Sequence, residues 1–352
     1  PASQVAEQVL GSFSDYNQVL QFGRSVDVVT FEIESANAVA LAQLESEGKV
    51  LYPKASTLST IKDKFKQKSV LQAQGIPVAD FCLIESRADV EKALQEFGSP
   101  IVLKARSGGY DGRGNAVIRG HDEDLTQTNA DETSVGAEID EALQKLAGAD
   151  LYAEKWMPFT KELAVNLARD RKGKLSFHPL VETVHKNNIC HTVEAPAQVS
   201  EAVTTEAKHI AEKIMTTLDG VGLFGIELFL TEDDQIVVNE IAPRVHNSGH
   251  HTIESCTVSQ FEQHLRAVLG LDLVEPDLVR PHACMVNILG DRTGPAKPQG
   301  IAEAEAIPET TVHIYGKLET KPERKMGHLT SLGETREEAH ERAQRAITIV
   351  SI

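Results

Sequence analysis

The sequence predicts a multidomain α/β (α+β) protein, and three observations carry the prediction. Residues 1–55 alternate strand, helix and strand, the order expected of a parallel sheet. Two apolar runs, Leu223–Leu230 and Gln235–Ile241, flank Asp233-Asp234 and read as an antiparallel hairpin. From about residue 276 the chain offers two more strands, Ala283–Leu289 and Val312–Tyr315, and a closing helix at Glu337–Ile349. At 352 residues and roughly 150 residues per domain, two or three domains are expected.

The first apolar run, Val26–Ile33, reads as a buried strand. A helix follows from about Asn37 to Leu44, ends at Gly48 and gives way to a short strand at Val50–Tyr52. Residues 56–75 read as two short helices closed by Gly75 and Pro77. Phe81–Ile84 is a strand, Val90–Phe97 a helix ended by Gly98, and Ile101–Lys104 a strand. That strand runs into a glycine-rich loop, after which Val117–Arg119 is extended again. The polar stretch 121–138 has no period and reads as a loop. Leu151–Trp156, Lys161–Ala168 and Leu175–Val184 are strands. Ala202–Leu218 is the longest helix, and Val258–Leu269 is another. The divisions expected are 1–55, a partial N-terminal Rossmann-like domain; 56–275, a central domain with a smaller subdomain at about 76–155; and 276–352, a small C-terminal α/β domain.

Composition narrows the function. Thirty-five basic against 52 acidic residues give a net charge of −17, which argues against a bulk footprint for nucleic acid or anionic lipid. No apolar run is long enough to span a bilayer. Cys82, Cys190, Cys256 and Cys284 form no CxxC pair, so four scattered thiols fit a reducing compartment. The first residue is Pro1, so the chain is expected to begin inside a longer gene product.

The residues that carry chemistry lie on strand ends. Gly108, Gly109, Gly112 and Gly114, with Arg106 and Arg113 among them, form a hairpin loop whose backbone can approach a polyphosphate. It is neither a Walker A motif nor a Rossmann fingerprint; a plain flexible tip is the bland alternative. Lys104, at the strand end before it, could reach phosphate oxygens or merely be solvated. If Asp233-Asp234 is a two-residue loop, Glu227 stands opposite Glu240, while Ile226 and Leu228 point into the core. Two facing carboxylates in apolar strands call for a cation, and oxygen ligands beside a phosphate loop suit Mg²⁺ better than Zn²⁺. A solvated face is the alternative, and a bulge breaks the register. Beyond Glu240, Arg244, His246 and Asn247 precede Gly249 and make an anion pocket. A zinc site on His246 and His250 would need a helical face. The edge of the Glu154–Trp156 strand could read an adenine, and Glu162 could bind ribose, although Trp156 could as well be core. Tyr315, Lys317, Arg324, Lys325 and His328 cluster basic and imidazole groups in an acidic chain and suggest either a substrate phosphate site or a solvated basic patch.

In this order the elements resemble the ATP-grasp superfamily and, within it, the PurK family of 5-(carboxyamino)imidazole ribonucleotide synthases in its fungal form. The resemblance rests on Gly108 to Asn115 (GGYDGRGN), Tyr152-Ala153-Glu154-Lys155-Trp156, Lys161 to Ala164, and Asn239 to Arg244 continuing to His246-Asn247-Ser248-Gly249-His250. Thr257 to Glu262 and Tyr315-Gly316-Lys317 complete it. It implies an ATP-grasp fold with a pre-ATP-grasp domain, and an ATP-dependent carboxylation of 5-aminoimidazole ribonucleotide by bicarbonate through carboxyphosphate, in purine biosynthesis. Lys64 and Lys104, with Gly109, Gly112 and Gly114, would then bind ATP phosphates. Glu154, Lys155, Trp156 and Met157 would line the adenine; Glu162 and, nearby, His185 would face the ribose; Glu227 and Glu240, with Asn239 beside them, would hold Mg²⁺. Arg244, His246 and Asn247 would hold bicarbonate or carboxyphosphate. Tyr110, Asp111 and Arg113 would sit at the amine, with Asp111 handling its proton, and Lys317 and Arg324 at the ribotide phosphate. The resemblance also implies a cytoplasmic homodimer. Against that resemblance, the family's opening strand and glycine-rich loop, truncated or only omitted, and the C-terminal mutase domain of fungal relatives are expected to lie outside the given residues. Another ATP-grasp ligase, or an ATP-binding module without turnover, are the competing readings.

Overall fold

The computed structural model describes residues 5–108, 114–120 and 135–352. The N-terminal unit runs α1 (Tyr16–Arg24), β1 (Val28–Val29), α2 (Ala38–Ser46), β2 (Val50–Leu51) and α3 (Ala55–Lys62). β1 and β2 pair in parallel, as the strand–helix–strand order requires, although the strand expected over Val26–Ile33 is only two residues long. The Asn37 side chain caps α2 by accepting from the Ala40 amide. Leu20, Val29, Leu41, Leu44 and Leu58 form this unit's own core.

The next segment comprises α4 (Lys64–Ala73), β3 (Phe81–Ile84), α5 (Arg87–Phe97), β4 (Ile101–Ala105), β5 (Asn115–Ile118), α6 (Val135–Lys145) and β6 (Leu151–Lys155). Its strands form an antiparallel sheet in the order β3-β6-β4-β5. Val90, Ala93, Ile139 and Ala142 from the helices pack on Ile101, Leu103, Ile118 and Ala153. α5 is bounded by a Ser86–Asp89 capping box and by Gly98 at φ 77°. Part of the stretch expected as loop is helical: residues 135–138 open α6, whose apolar face, Ile139 and Ala142, is short enough to be missed among polar neighbours. Residues 121–134 lie outside the described residues.

The large sheet takes β7 (Lys161–Arg169), β8 (Leu175–Phe177), β9 (Val181–Lys186), β10 (Ile189–Ala195), then, after α7 (Glu201–Thr217), β11 (Gly222–Leu230) and β12 (Ile236–Ala242). α8 (Thr252–Ser255) and α9 (Gln260–Leu269) follow. The C-terminal part adds β13 (His282–Leu289), β14 (Gly294–Pro295), α10 (Ile301–Glu305), β15 (Thr310–Ile314), β16 (Glu319–Thr320), β17 (Lys325–Gly333) and α11 (Arg336–Ile349). The order is β12-β11-β7-β9-β10-β13-β17-β15, antiparallel throughout, with β8 beside β7. The C-terminal strands are therefore not a separate sheet. β13 pairs with β10 and carries the C-terminal residues onto the same surface as the central strands. The strand expected over 175–184 is broken between β8 and β9, where His178-Pro179 intervenes.

α7 shows why this sheet holds. Val203, Ala207, Ile210, Ala211, Ile214 and Met215 recur at helical spacing and are all buried against Leu163, Val165, Phe224, Ile226 and Ile241. Each large side chain so buried contributes about 1.5–3 kcal/mol. Fixing this face leaves the other faces of β7, β11 and β12 to carry polar groups.

Candidate active site

The carboxylate pair lies on β11 and β12. Glu227 stands opposite Glu240, as the sequence predicts, but two departures cancel to put it there. The connection is not a two-residue loop on Asp233-Asp234. It runs over Thr231–Gln235, closed by the Thr231 amide donating to the Gln235 carbonyl at 3.0 Å, and it pairs Leu228 with Val238. A bulge then leaves Asn239 as an extra residue and restores the register of Glu227 and Glu240. Because of the bulge, Asn239 and Glu240 are both partly exposed while Ile241 is buried. Asn239 Nδ2 donates to Glu227 Oε2 at 3.3 Å.

Burial and the facing Glu240 push the Glu227 carboxyl up to about 7. Glu240 moves the other way. Burial opposes its charge, but the Lys64 ammonium, 2.5 Å from Oε1, and the more distant Lys104 hold it below the usual range. Two carboxylates and an amide oxygen form an all-oxygen donor set, which fits Mg²⁺. Glu162 bonds His185 Nδ1 on the neighbouring strands. Burial works against the His185 charge, but Glu162 and Glu227 raise its pKa.

α4 supplies two lysines because of how it starts. Asp63 caps the helix by accepting from the Lys66 amide at 3.1 Å, and it pairs with Arg106. Lys64 and Lys68, four apart, then share one face. Lys64 reaches Glu240; Lys68 Nζ lies 3.1 Å from Glu154 Oε1. Lys104 Nζ takes the other Glu154 oxygen at 2.8 Å, and the Tyr152 hydroxyl donates to Oε1 at 2.9 Å. Burial of Glu154 would raise its pKa, yet Lys104 and Lys68 bring it down to about 2. Burial outweighs Glu154 and, with the Lys104 charge beside it, brings Lys68 below the usual lysine range. The surplus positive charge suits an anion.

The loop after β12 supplies the other polar groups. Arg244 lies 3.0 Å from Glu34 of the N-terminal unit, and its Nε is buried without a partner among the described residues. His246 Nδ1 meets the Ser248 hydroxyl at 2.8 Å, and Nε2 lies 3.5 Å from Glu227 Oε1. Burial and then Arg244 hold its pKa down to about 3, so the ring is neutral. Asn247 and Asn287 exchange amide bonds of 2.9 and 2.7 Å. Gln260 braces the loop, its Oε1 accepting from the His246 amide at 2.9 Å and its Nε2 donating to the His246 carbonyl at 2.8 Å. His246 Nδ1 turns to the Ser248 hydroxyl, and His250 Nδ1 to the Gln260 amide. Gly225 makes room for His246: a Cβ there would lie 2.4 Å from His246 Cβ. Gly225→Ala is therefore expected to keep the fold at a cost of about 1–3 kcal/mol and to displace the imidazole. An unchanged His246 ring resonance by NMR would contradict this.

Other expectations shift. β6 is an inner strand with β3 and β4 on its two sides, so it presents no open edge at Glu154. The Lys155 and Trp156 amides are taken by the Asp80 and Pro100 carbonyls, at 2.9 and 3.3 Å. Trp156 is 42% exposed, which overturns its core reading; Met157, next in the chain, is half-buried. Lys325 to His328 lie on β17, a strand not read from the sequence. Lys317 Nζ donates to the Lys325 carbonyl at 2.5 Å, and Arg324 donates to the Glu319 carbonyl at 2.6 Å. Lys325 is felt by His185 and His246, which places it near the central cluster. Gly109, Tyr110, Asp111, Gly112 and Arg113 lie outside the described residues; the loop's flanks, Gly108 and Gly114, have φ of 79° and 87°. Sequence reading missed Lys68, Glu34 and Gln260. Gln260 falls inside a quoted motif, the one signal that could have found it.

Comparison with known proteins follows the same map. The ATP-grasp domain model matches residues 69–261. The ribonucleotide synthetase preATP-grasp domain matches 1–62, and the phosphoribosylaminoimidazole carboxylase C-terminal domain matches 283–342. The N5-carboxyaminoimidazole ribonucleotide synthase of Synechococcus elongatus is 38% identical over 100% of this chain and 85% of its own length. The chain belongs to the PurK family of the ATP-grasp superfamily. Its fold is the ATP-grasp fold with a preATP-grasp domain and the PurK C-terminal domain. Another PurK relative, the carboxyaminoimidazole synthase of Aspergillus clavatus in complex with ADP and 5-aminoimidazole ribonucleotide, superposes with a TM-score of 0.87 at 37% identity. That match covers 99% of this chain and 89% of the other. The phosphoribosylaminoimidazole carboxylase of Ogataea methanolica is 40% identical over 95% of this chain. The chain spans about 60% of the length of such curated relatives.

Proposed function

We propose that this chain catalyses the ATP-dependent carboxylation of the amine of 5-aminoimidazole ribonucleotide with bicarbonate, giving 5-(carboxyamino)imidazole ribonucleotide, ADP and phosphate. The carrying observation is the paired Glu227 and Glu240 set between buried lysines and the Arg244–Asn247 loop. The PurK relatives, one with ADP and the ribotide bound, support the reading. Mg²⁺, held by Glu227 and Glu240 with Asn239 beside them, would neutralise charge building on phosphoryl oxygens.

The chain's own residues would do the rest. Lys64 and Lys104, with Lys68 beneath, would take the phosphates; Glu154 to Met157 would lie along the adenine, and Glu162 with His185 along the ribose. Arg244, neutral His246 and Asn247 would orient bicarbonate so that its oxygen attacks the γ-phosphorus, releasing ADP and forming carboxyphosphate. The ribotide amine then attacks the carboxyl carbon, phosphate leaves, and the nitrogen gives up a proton, for which Asp111 is the acceptor proposed. Tyr110 and Arg113 would flank the amine. Lys317 and Arg324 would hold the ribotide phosphate.

The test is phosphate release from MgATP and bicarbonate, with and without the ribotide. Strong stimulation is expected; slow release without stimulation would point to another acceptor. Lys317→Ala is expected to raise the ribotide KM about tenfold or more while the ATP KM holds; an unmoved ribotide KM would remove Lys317 from the site. We also propose a cytoplasmic homodimer. Four cysteines scattered through the sequence without a CxxC pair support the compartment, and sedimentation would test the dimer.

A further inference from the structure

A second polar cluster lies outside the carboxylate pair, where α8 meets the C-terminal strands. His313 on β15 and His328 on β17 are direct cross-strand partners, their rings stacked at 4.8 Å and 27°. Glu254 comes down from α8, its Oε1 2.6 Å from His313 Nε2. One donor atom from each of Glu254, His313 and His328 falls within 4.8 Å of the others.

Polar bonding in the cluster is incomplete. His328 is 2% exposed, and its Nε2 has no partner among the described residues; nor has the buried Glu254 Oε2. His328 Nδ1 is 3.0 Å from the Tyr315 hydroxyl. An Nδ1–H donating to that oxygen leaves the Nε2 lone pair open, the arrangement of a metal-binding histidine fixed through its second nitrogen. The strands cannot drift apart easily here. A Cβ on Gly327 would lie 2.3 Å from the His313 carbonyl, so β17 runs tight against β15 beside the cluster.

We propose that Glu254, His313 and His328 form a divalent transition-metal site, with Zn²⁺ the ion its ligands favour. Two imidazoles and one carboxylate are a zinc donor set, whereas Mg²⁺ prefers oxygens such as those of Glu227 and Glu240. On loading, the proton shared by His313 and Glu254 leaves to solvent and both atoms turn to the ion. No redox change is involved. The ion clips α8, which follows the Arg244–His250 loop, to the strands that bracket Tyr315 and Lys317.

The test titrates the chelator-treated full chain with Zn²⁺ and Co²⁺ in excess Mg²⁺ and ADP, which occupy the Glu227–Glu240 site. One tightly held Zn²⁺ per chain is expected, competing with Co²⁺ for a site with visible d–d bands. His313→Gln and Glu254→Gln should each weaken binding at least tenfold, and Tyr315→Phe about 10–100-fold as a second-nitrogen partner. Zinc-edge absorption on the unaltered chain should show two imidazole ligands, a readout independent of how the variants fold. No retained zinc, the same affinity in the ligand variants, or a zinc edge without imidazole overturns the proposal.

Discussion

Glu240→Gln is expected to cut phosphate release from MgATP and bicarbonate by about a thousandfold or more while the chain stays folded. The substitution keeps the size of the side chain and removes the charge that faces Glu227. Folding should survive because Lys64 keeps other counter-charges. Burial disfavours its ammonium, but Glu34 and Glu227 attract it as well as Glu240, and together they raise its pKa. Glutamine fills the same volume, so the change leaves no hole. ATP should still bind through the lysines, with a steeper Mg²⁺ requirement. Full turnover in the variant at ordinary Mg²⁺ would remove the pair from the metal site and, with it, the main support for the ligase reading.

The charges around the cleft are arranged in two unbalanced halves. Lys68 and Lys104 share Glu154, which leaves one positive charge in excess. Glu162, Glu227 and Glu240 face Lys64 and His185, whose pKa is raised, which leaves one negative charge in excess once Glu227 ionises. Neither half is content alone in a buried setting. A polyphosphate on the first half and a cation on the second complete both. This is a stronger argument for a metal–nucleotide ligand than any single residue, because the two excesses are of opposite sign and adjacent.

How much of this was legible in the sequence depended on the range of the contacts. Elements set by local period and caps were readable: Phe81–Ile84 matches β3, and the longest helix is α7. The Glu227–Glu240 pairing was readable only because a five-residue turn and a bulge at Asn239 offset one another, and no local signal distinguishes that from a tight turn without a bulge. Lys68 looks like any lysine on a helix; only the docking of α4 on β6 buries it against Glu154. β17 was hidden because Arg324 to His328 reads as a basic patch, while its strand character comes from pairing with β13 and β15. Glu34 is more than 200 positions from Arg244, a contact made by packing the N-terminal unit on the loop.

Glu154→Gln is the second large effect expected, and it falls on stability. Glu154 is 4% exposed. Burial raises its pKa, but Lys104, Lys68 and the Tyr152 hydroxyl override burial and hold it at about 2, against 4.5 when free. A depressed carboxyl pKa stabilises the fold above pH 4.5 and loses that contribution as pH falls toward 2. The difference amounts to about 3 kcal/mol at neutral pH. Glutamine does not titrate, and it leaves Lys68 and Lys104 without their counter-charge, a loss of the same order. The urea midpoint of the variant should therefore lie well below that of the wild type at pH 7. The gap should narrow steadily below pH 4.5, where the wild type gives up its own advantage. It should also narrow at alkaline pH, since Lys68, already below the usual lysine range, sheds its proton more readily. A gap that stays constant from pH 7 to pH 3 would mean that Glu154 does not hold the lysines by its charge.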